Sequence, residues 1–234
     1  MGLNIKQQET LMYQSRLLFE HDNIESASSR SLALTIHINK VSDQEHFKRA
    51  VFQKVHRALY GTTSAPDNFT YSMMIAGDVE CSRLGTVRFE TLKTAYEPHF
   101  HGLIVFSEPD WCLIEQNLPK YIALIQSAIS DIREVKKSLI DNDGVCSWNT
   151  IWVRKFKEST KPKHKFSSSF SNYIDYMFKA DHHAQKHGID AYVPSVFPHD
   201  LYPTKQKASS AELLFNELCL IEEGFQQKRG KYLN

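Results

Sequence analysis

Hydrophobic and polar positions alternate along "LALTIHI" (32–38), the two-residue period of a strand. The segment after it changes period. Phe47, Val51, Val55, Ala58 and Leu59 fall on one helical face, Ser42 and Glu45 have the spacing of a capping box, and Gly61 closes the helix. "YSMMIAG" (71–77), "GTVRFETLK" (85–93) and "HFHGLIVF" (99–106) read as three further strands, the last two joined tightly enough to form an antiparallel hairpin. Residues 110–140 carry Ile122, Ile125, Ile129, Ile132 and Leu139 at three- and four-residue intervals, which predicts a helix packed on a sheet. "SWNTIWVRKFK" (147–157) is a strand with a basic end, and "SSSFSNYIDYMFKADHHAQKHG" reads as a helix. Helices are also predicted over 5–20 and from Ser209 onward, with a proline-containing linker over 192–208 between. Strands joined by short loops, with helices interspersed, define an α+β fold with a central antiparallel sheet of about five strands and helices packed on it.

The chain has 234 residues, enough for one large domain with a substantial core. We divide it into an N-terminal helical extension (1–30), a main domain (31–191), and a linker with a C-terminal helix (192–234). Hydrophobic content of 41% and charged content of 24% are ordinary for a globular protein, and no apolar run is long enough to span a bilayer. The polar N-terminus does not resemble a secretory signal. Cys81, Cys112, Cys146 and Cys219 form no CxxC pair, so reduced thiols and a cytoplasmic setting are expected, with no membrane partner. The net charge of +1 neither suggests nor excludes nucleic acid, because local patches set the field a ligand meets.

Candidate chemistry begins at "EPHFHGLIVF" (97–106). His99 and His101 share a face of their strand, with Leu103 and Val105 continuing the row, while Phe100, Ile104 and Phe106 take the other face. Both faces become apolar after residue 102, which predicts a central strand covered on both sides. Two imidazoles at the end of a rigid strand can converge on one ion. In the expected hairpin, Glu90 can bring a carboxylate to them. Glu97 is a rival, and a solvated Glu90 is the plain alternative. Such a nitrogen and oxygen set suits a divalent cation, Mn²⁺ or Mg²⁺, with Zn²⁺ also compatible.

"PHFHGLIVF" resembles the His–hydrophobic–His motif of HUH endonucleases, in particular the rolling-circle replication initiators, or Rep proteins. In Rep proteins of small circular single-stranded DNA viruses the pair often follows a proline, and a glutamate several residues earlier is a third metal ligand. Glu90 stands near that place. The resemblance implies a ferredoxin-like or RRM-like nuclease core and a later helix bearing a nucleophilic tyrosine, with a lysine three residues on. "YMFKAD" supplies Tyr176 and Lys179 in the expected order. The likeness covers roughly residues 32 to 185. A departure is Tyr173, three residues before Tyr176. Enzymes of this class with two tyrosines on one helix tend to space them more widely. Tyr176 is the better nucleophile because Lys179 completes its motif, and Tyr173 reads as a core residue.

The implied chemistry is nicking of single-stranded origin DNA. A phenol is a weak nucleophile near neutral pH, with a pKa near 10, so a cation and a lysine at the phosphate would offset its reluctance. The expected product is a 5′-phosphotyrosine link and a free 3′-OH, and the link retains the bond energy needed for rejoining. The basic stretch 153–169, with Arg154, Lys155, Lys163 and Lys165, leads into the tyrosine helix and would hold phosphates, while Phe156 and Phe166 could stack on bases. No GxxxxGK[ST] loop is present and the length leaves no room for a helicase domain, so a separate helicase and host replication machinery are the expected partners, in the nucleus if the host is eukaryotic. A transposase or relaxase with the same strand-transfer chemistry is an alternative reading. An inactive DNA-binding protein on the same fold is the non-enzymatic one.

Overall fold

The computed structural model describes residues 3–18, 27–39, 43–61, 70–79, 98–140, 146–147, 149–156, 170–177, 194–200, 211–221 and 223. The long strands are β1 (Ser31–His37), β2 (Tyr71–Val79), β3 (Pro98–Phe106) and β6 (Ile151–Lys155), and short β7 (Ser195–Phe197) joins them. Their spatial order is β6-β1-β3-β2-β7, every pair antiparallel. Two residue pairs, β4 (Leu139–Ile140) and β5 (Cys146–Ser147), form a separate two-stranded ladder. The helices are α1 (Ile5–Leu18), α2 (Gln44–Tyr60), α3 (Glu108–Gln116), α4 (Leu118–Ser130), α5 (Phe170–Met177) and α6 (211–221). This is the α+β fold expected, with a five-stranded antiparallel sheet. The sequence β1-α2-β2-β3-α4-β6 with spatial order β6-β1-β3-β2 is the connectivity of a ferredoxin-like core, and β7 extends it at the β2 edge.

Alternation along the strands divides the core in two. Leu34 and Ile36 of β1, Ile75 of β2 and Ile104 of β3 pack on Phe47, Val51 and Val55 of α2 and Ile125 and Ile129 of α4. On the opposite face Ala33, Met74, Leu103 and Val105 pack on Tyr13 and Leu17 of α1 and Ile174 and Met177 of α5. β3 is central, as its doubly apolar pattern predicts. Gly102 sits where β3 lies close to β1: a Cβ there would be 2.9 Å from Leu34 Cδ1 and 3.1 Å from Leu34 Cβ.

Several expectations are corrected. Both edges of β3 are taken, by β1 over residues 99–105 and by β2 over 98–106, where the expected neighbour was 85–93. The segment 85–93 itself lies outside the described residues. The single helix over 110–140 is two. Asn117 separates α3 from α4, and Pro119, which has no N–H to donate, takes the first turn of the new helix. α4 ends at Ser130, leaving Ile132 buried beyond the helix and Leu139 in β4. The cap of α2 is Asp43, whose carboxylate accepts the His46 N–H at 2.9 Å, rather than Ser42, and Gly61 closes the helix at φ 72°.

Described residues on both sides of the 31–191 segment pack against it. Leu17 and Leu18 of α1 are fully buried in the second core, and Val196 and Phe197 of the supposed linker are sheet residues buried one in each core. Leu218, in the C-terminal helix, packs with Leu3 and Leu11. Among the described residues no helix is long and apolar enough to cross a membrane.

Candidate functional site

The histidine pair lies at the end of β3, on the face that carries α1 and α5. Its backbone is held from both sides: His99 is opposite His37 of β1 and Asp78 of β2, and His101 is opposite Thr35 and Ala76. His99 is 6% exposed and His101 is half-buried. Their Nε2 atoms are 3.1 Å apart, with the rings nearly perpendicular. That separation suits a hydrogen bond when one Nε2 carries a proton. It also matches two ligands of one ion: with metal–nitrogen distances of about 2.1 Å it corresponds to an angle of about 95° at the cation.

Thr35 Oγ1 is 3.4 Å from His101 Nδ1. When that Nδ1–H donates to Thr35, the Nε2 lone pair is left directed toward His99, the tautomer a metal ligand needs. The two histidines thus fit a divalent cation. Among the described residues no group of three or more His, Cys, Asp and Glu side chains is arranged to hold one. Glu90, the expected third ligand, and its rival Glu97 lie outside the described residues. In the sheet register Asp78 is the β2 residue opposite His99.

Tyr176 comes to the same place from far along the chain. Ile174 and Met177 bury one side of α5 against the sheet, which turns Tyr176 to the outer side, 42% exposed. Its ring meets the His101 imidazole edge-on, with centroids 5.2 Å apart. Tyr173, one turn back, packs edge-on against Phe156 at 5.4 Å. Burial pushes the Tyr173 phenol up to about 12; charge on Tyr176 adds to this and Arg154 opposes it. Lys179, Lys163, Lys165 and Phe166 lie outside the described residues.

Of the basic pair on β6, only one member shares the histidine face. Arg154 is opposite Ala33 and exposed there. Lys155, opposite Leu32, is on the other face, where it forms an ion pair with Glu115 and sits 5.2 Å over the Trp111 ring. Its hydrogen bond is the main reason the Glu115 carboxyl is held below the ordinary range. Lys155 is therefore not part of the surface around the histidines. Phe156, offered as a base-stacking residue, is instead 7% exposed and packed in the second core.

Two neighbours escape a motif-based reading. His37 stacks on His99 at 5.5 Å, and Trp152 meets His37 edge-on at 5.4 Å. The rings of Trp152, His37, His99, His101 and Tyr176 form one unbroken row from the edge strand β6 to α5. The signal was in the alternation of "LALTIHI" and "IWVRK", but only the cross-strand register joins it to the HxH motif. Compared with family models, curated proteins and solved structures, the chain has no match.

Proposed function

We propose that the protein is a metal-dependent, site-specific nickase and rejoining enzyme of single-stranded DNA, acting at a replication origin in the manner of the Rep proteins its motifs resemble. The observation that carries this is the contact between Tyr176 and His101. An exposed phenol at the end of a helix stands against the imidazole pair suited to a divalent cation. Mn²⁺ or Mg²⁺ held by His99 and His101 would stabilise charge developing on the scissile phosphate.

In the reaction, Tyr176 Oη bonds to phosphorus and the bond from phosphorus to the 3′ oxygen breaks. The phenolic proton is balanced by the proton gained by the departing 3′-OH. The 5′ phosphate remains on the tyrosine, and reversal of the same step rejoins the strand without another energy source. His99 is fixed by pairing on both edges of its strand, which keeps the electrophilic side of the site rigid while α5 brings the nucleophile. Lys179, three residues after Tyr176 in the sequence, we assign to the phosphate by its place in the motif.

The test uses the full chain with Mn²⁺ and a 3′-labelled random pool of single-stranded oligonucleotides, resolved on a denaturing gel. The expected result is a labelled covalent adduct that Tyr176→Phe and His99→Ala abolish. No adduct from the wild type, or a full yield from Tyr176→Phe, overturns the assignment. Mapping the cut separates an origin nick from the paired end cuts of a transposase.

A further inference from the structure

We infer that Trp152 is a stacking platform for an unpaired base of the strand whose phosphate lies at Tyr176; this rests on the proposed DNA-nicking function and names how the substrate is gripped. Trp152 is 44% exposed although its neighbours Ile151 and Val153 are buried. Alternation along β6 sets it on the same face as the histidine pair, with Arg154 two residues further on that face. In register it shares a cross-strand row with Thr35 and His101. Two strand spacings, about 10 Å, separate its backbone from that of His101. A nucleotide reaches over such a distance from phosphate to base.

The ring is also held. His37 meets it edge-on, and the His37 backbone is fixed by donating its N–H to the Thr150 carbonyl at 2.9 Å and accepting the Lys136 N–H at 3.0 Å. An indole steadied on one side and open to solvent on another loses little freedom when a base stacks on it. Every base has a π face, so this contact is tolerant of sequence, and Arg154 is placed to meet the neighbouring phosphate. The chain's described surface thereby offers a base contact at one end of the ring row and the nucleophile at the other.

The test measures binding of fluorescein-labelled oligothymidylate to the full chain by anisotropy, with tryptophan emission followed in parallel, for wild type, Trp152→Leu and Trp152→Phe. Melting temperatures are recorded for each variant. Expected are equal melting temperatures, affinity lowered between about fivefold and a hundredfold in Trp152→Leu, and most of it retained in Trp152→Phe. The oligonucleotide should quench wild-type emission more than that of either variant, which keep Trp111 and Trp148. Unchanged affinity in Trp152→Leu, with wild type still forming the covalent adduct, overturns the platform and leaves the nicking function standing. A wild type that neither binds oligothymidylate nor forms an adduct overturns both.

Discussion

The Tyr176 ring rests edge-on against the His101 imidazole, 5.2 Å between centroids, although the two residues belong to a helix and a strand far apart in the chain. Tyr173, a turn earlier on the same helix, is partly buried and packs against the second core, with its phenol pushed up to about 12 by burial. The two tyrosines should therefore separate cleanly. Tyr176→Phe is expected to lower adduct formation by on the order of 10⁴-fold or more, the scale of removing a nucleophile. Tyr173→Phe should keep it within about tenfold, since only a hydroxyl on a packed ring is lost. Single-turnover adduct yields on both variants check this, and a reversal of their order would reassign the nucleophile.

Thr35 stands behind His101, its Oγ1 3.4 Å from His101 Nδ1. Thr35→Val preserves the branched shape on β1 while removing that partner. The bond is long, so the expected loss of Mn²⁺ affinity is about tenfold, the lower end for a group that orients a metal-binding histidine. Isothermal titration calorimetry with Mn²⁺ measures it directly. Affinity equal to wild type would show that His101 is oriented by its strand alone.

Tyr173 also predicts a pH dependence of stability. Its folded pKa, about 12, lies above the unfolded value of 10.0, so folding favours the protonated phenol. That contribution is complete below pH 10 and is lost as pH rises toward 12, because the unfolded chain releases the proton first. Thermal melts across this range should fall for wild type, and fall less steeply for Tyr173→Phe. Parallel curves for the two proteins would mean that the phenol is not held protonated by the fold.

The sheet's alternating rows were readable from residue types alone. "HFHGLIVF" is apolar on both faces after Gly102 and does form the central strand, and the α+β class follows from such segments. Pairing was not readable. Sequence proximity favoured 85–93 as the neighbour of β3, but the sheet takes β1 and β2, and with them His37 and Asp78 come opposite His99. Partner choice depends on which strands can together bury both faces, a long-range property that local periodicity does not carry. Short β7 was missed for a related reason: three residues show no period, and it is a strand because Val196 and Phe197 each fill a different core. Within the site, the HxH and tyrosine motifs pointed to residues that do meet in space, whereas the basic cluster was read by charge alone and ignored that adjacent strand residues face opposite ways.

That last point yields a comparison between neighbours. Arg154 and Lys155 carry the same charge and adjoin in sequence, but Arg154 lies on the histidine face while Lys155 is engaged with Glu115 behind the sheet. If single-stranded DNA follows the ring row, Arg154→Ala should weaken oligothymidylate binding several-fold and reduce the slope of log affinity against log salt by about 0.7, the value for one phosphate contact on a single strand. Lys155→Ala should leave both affinity and slope at the wild-type values, since its head group is paired on the far face. Anisotropy titrations at several salt concentrations give both quantities for each variant. Equal losses from the two substitutions would show that binding responds to total charge and not to this face, and would remove the ring row as the path of the strand.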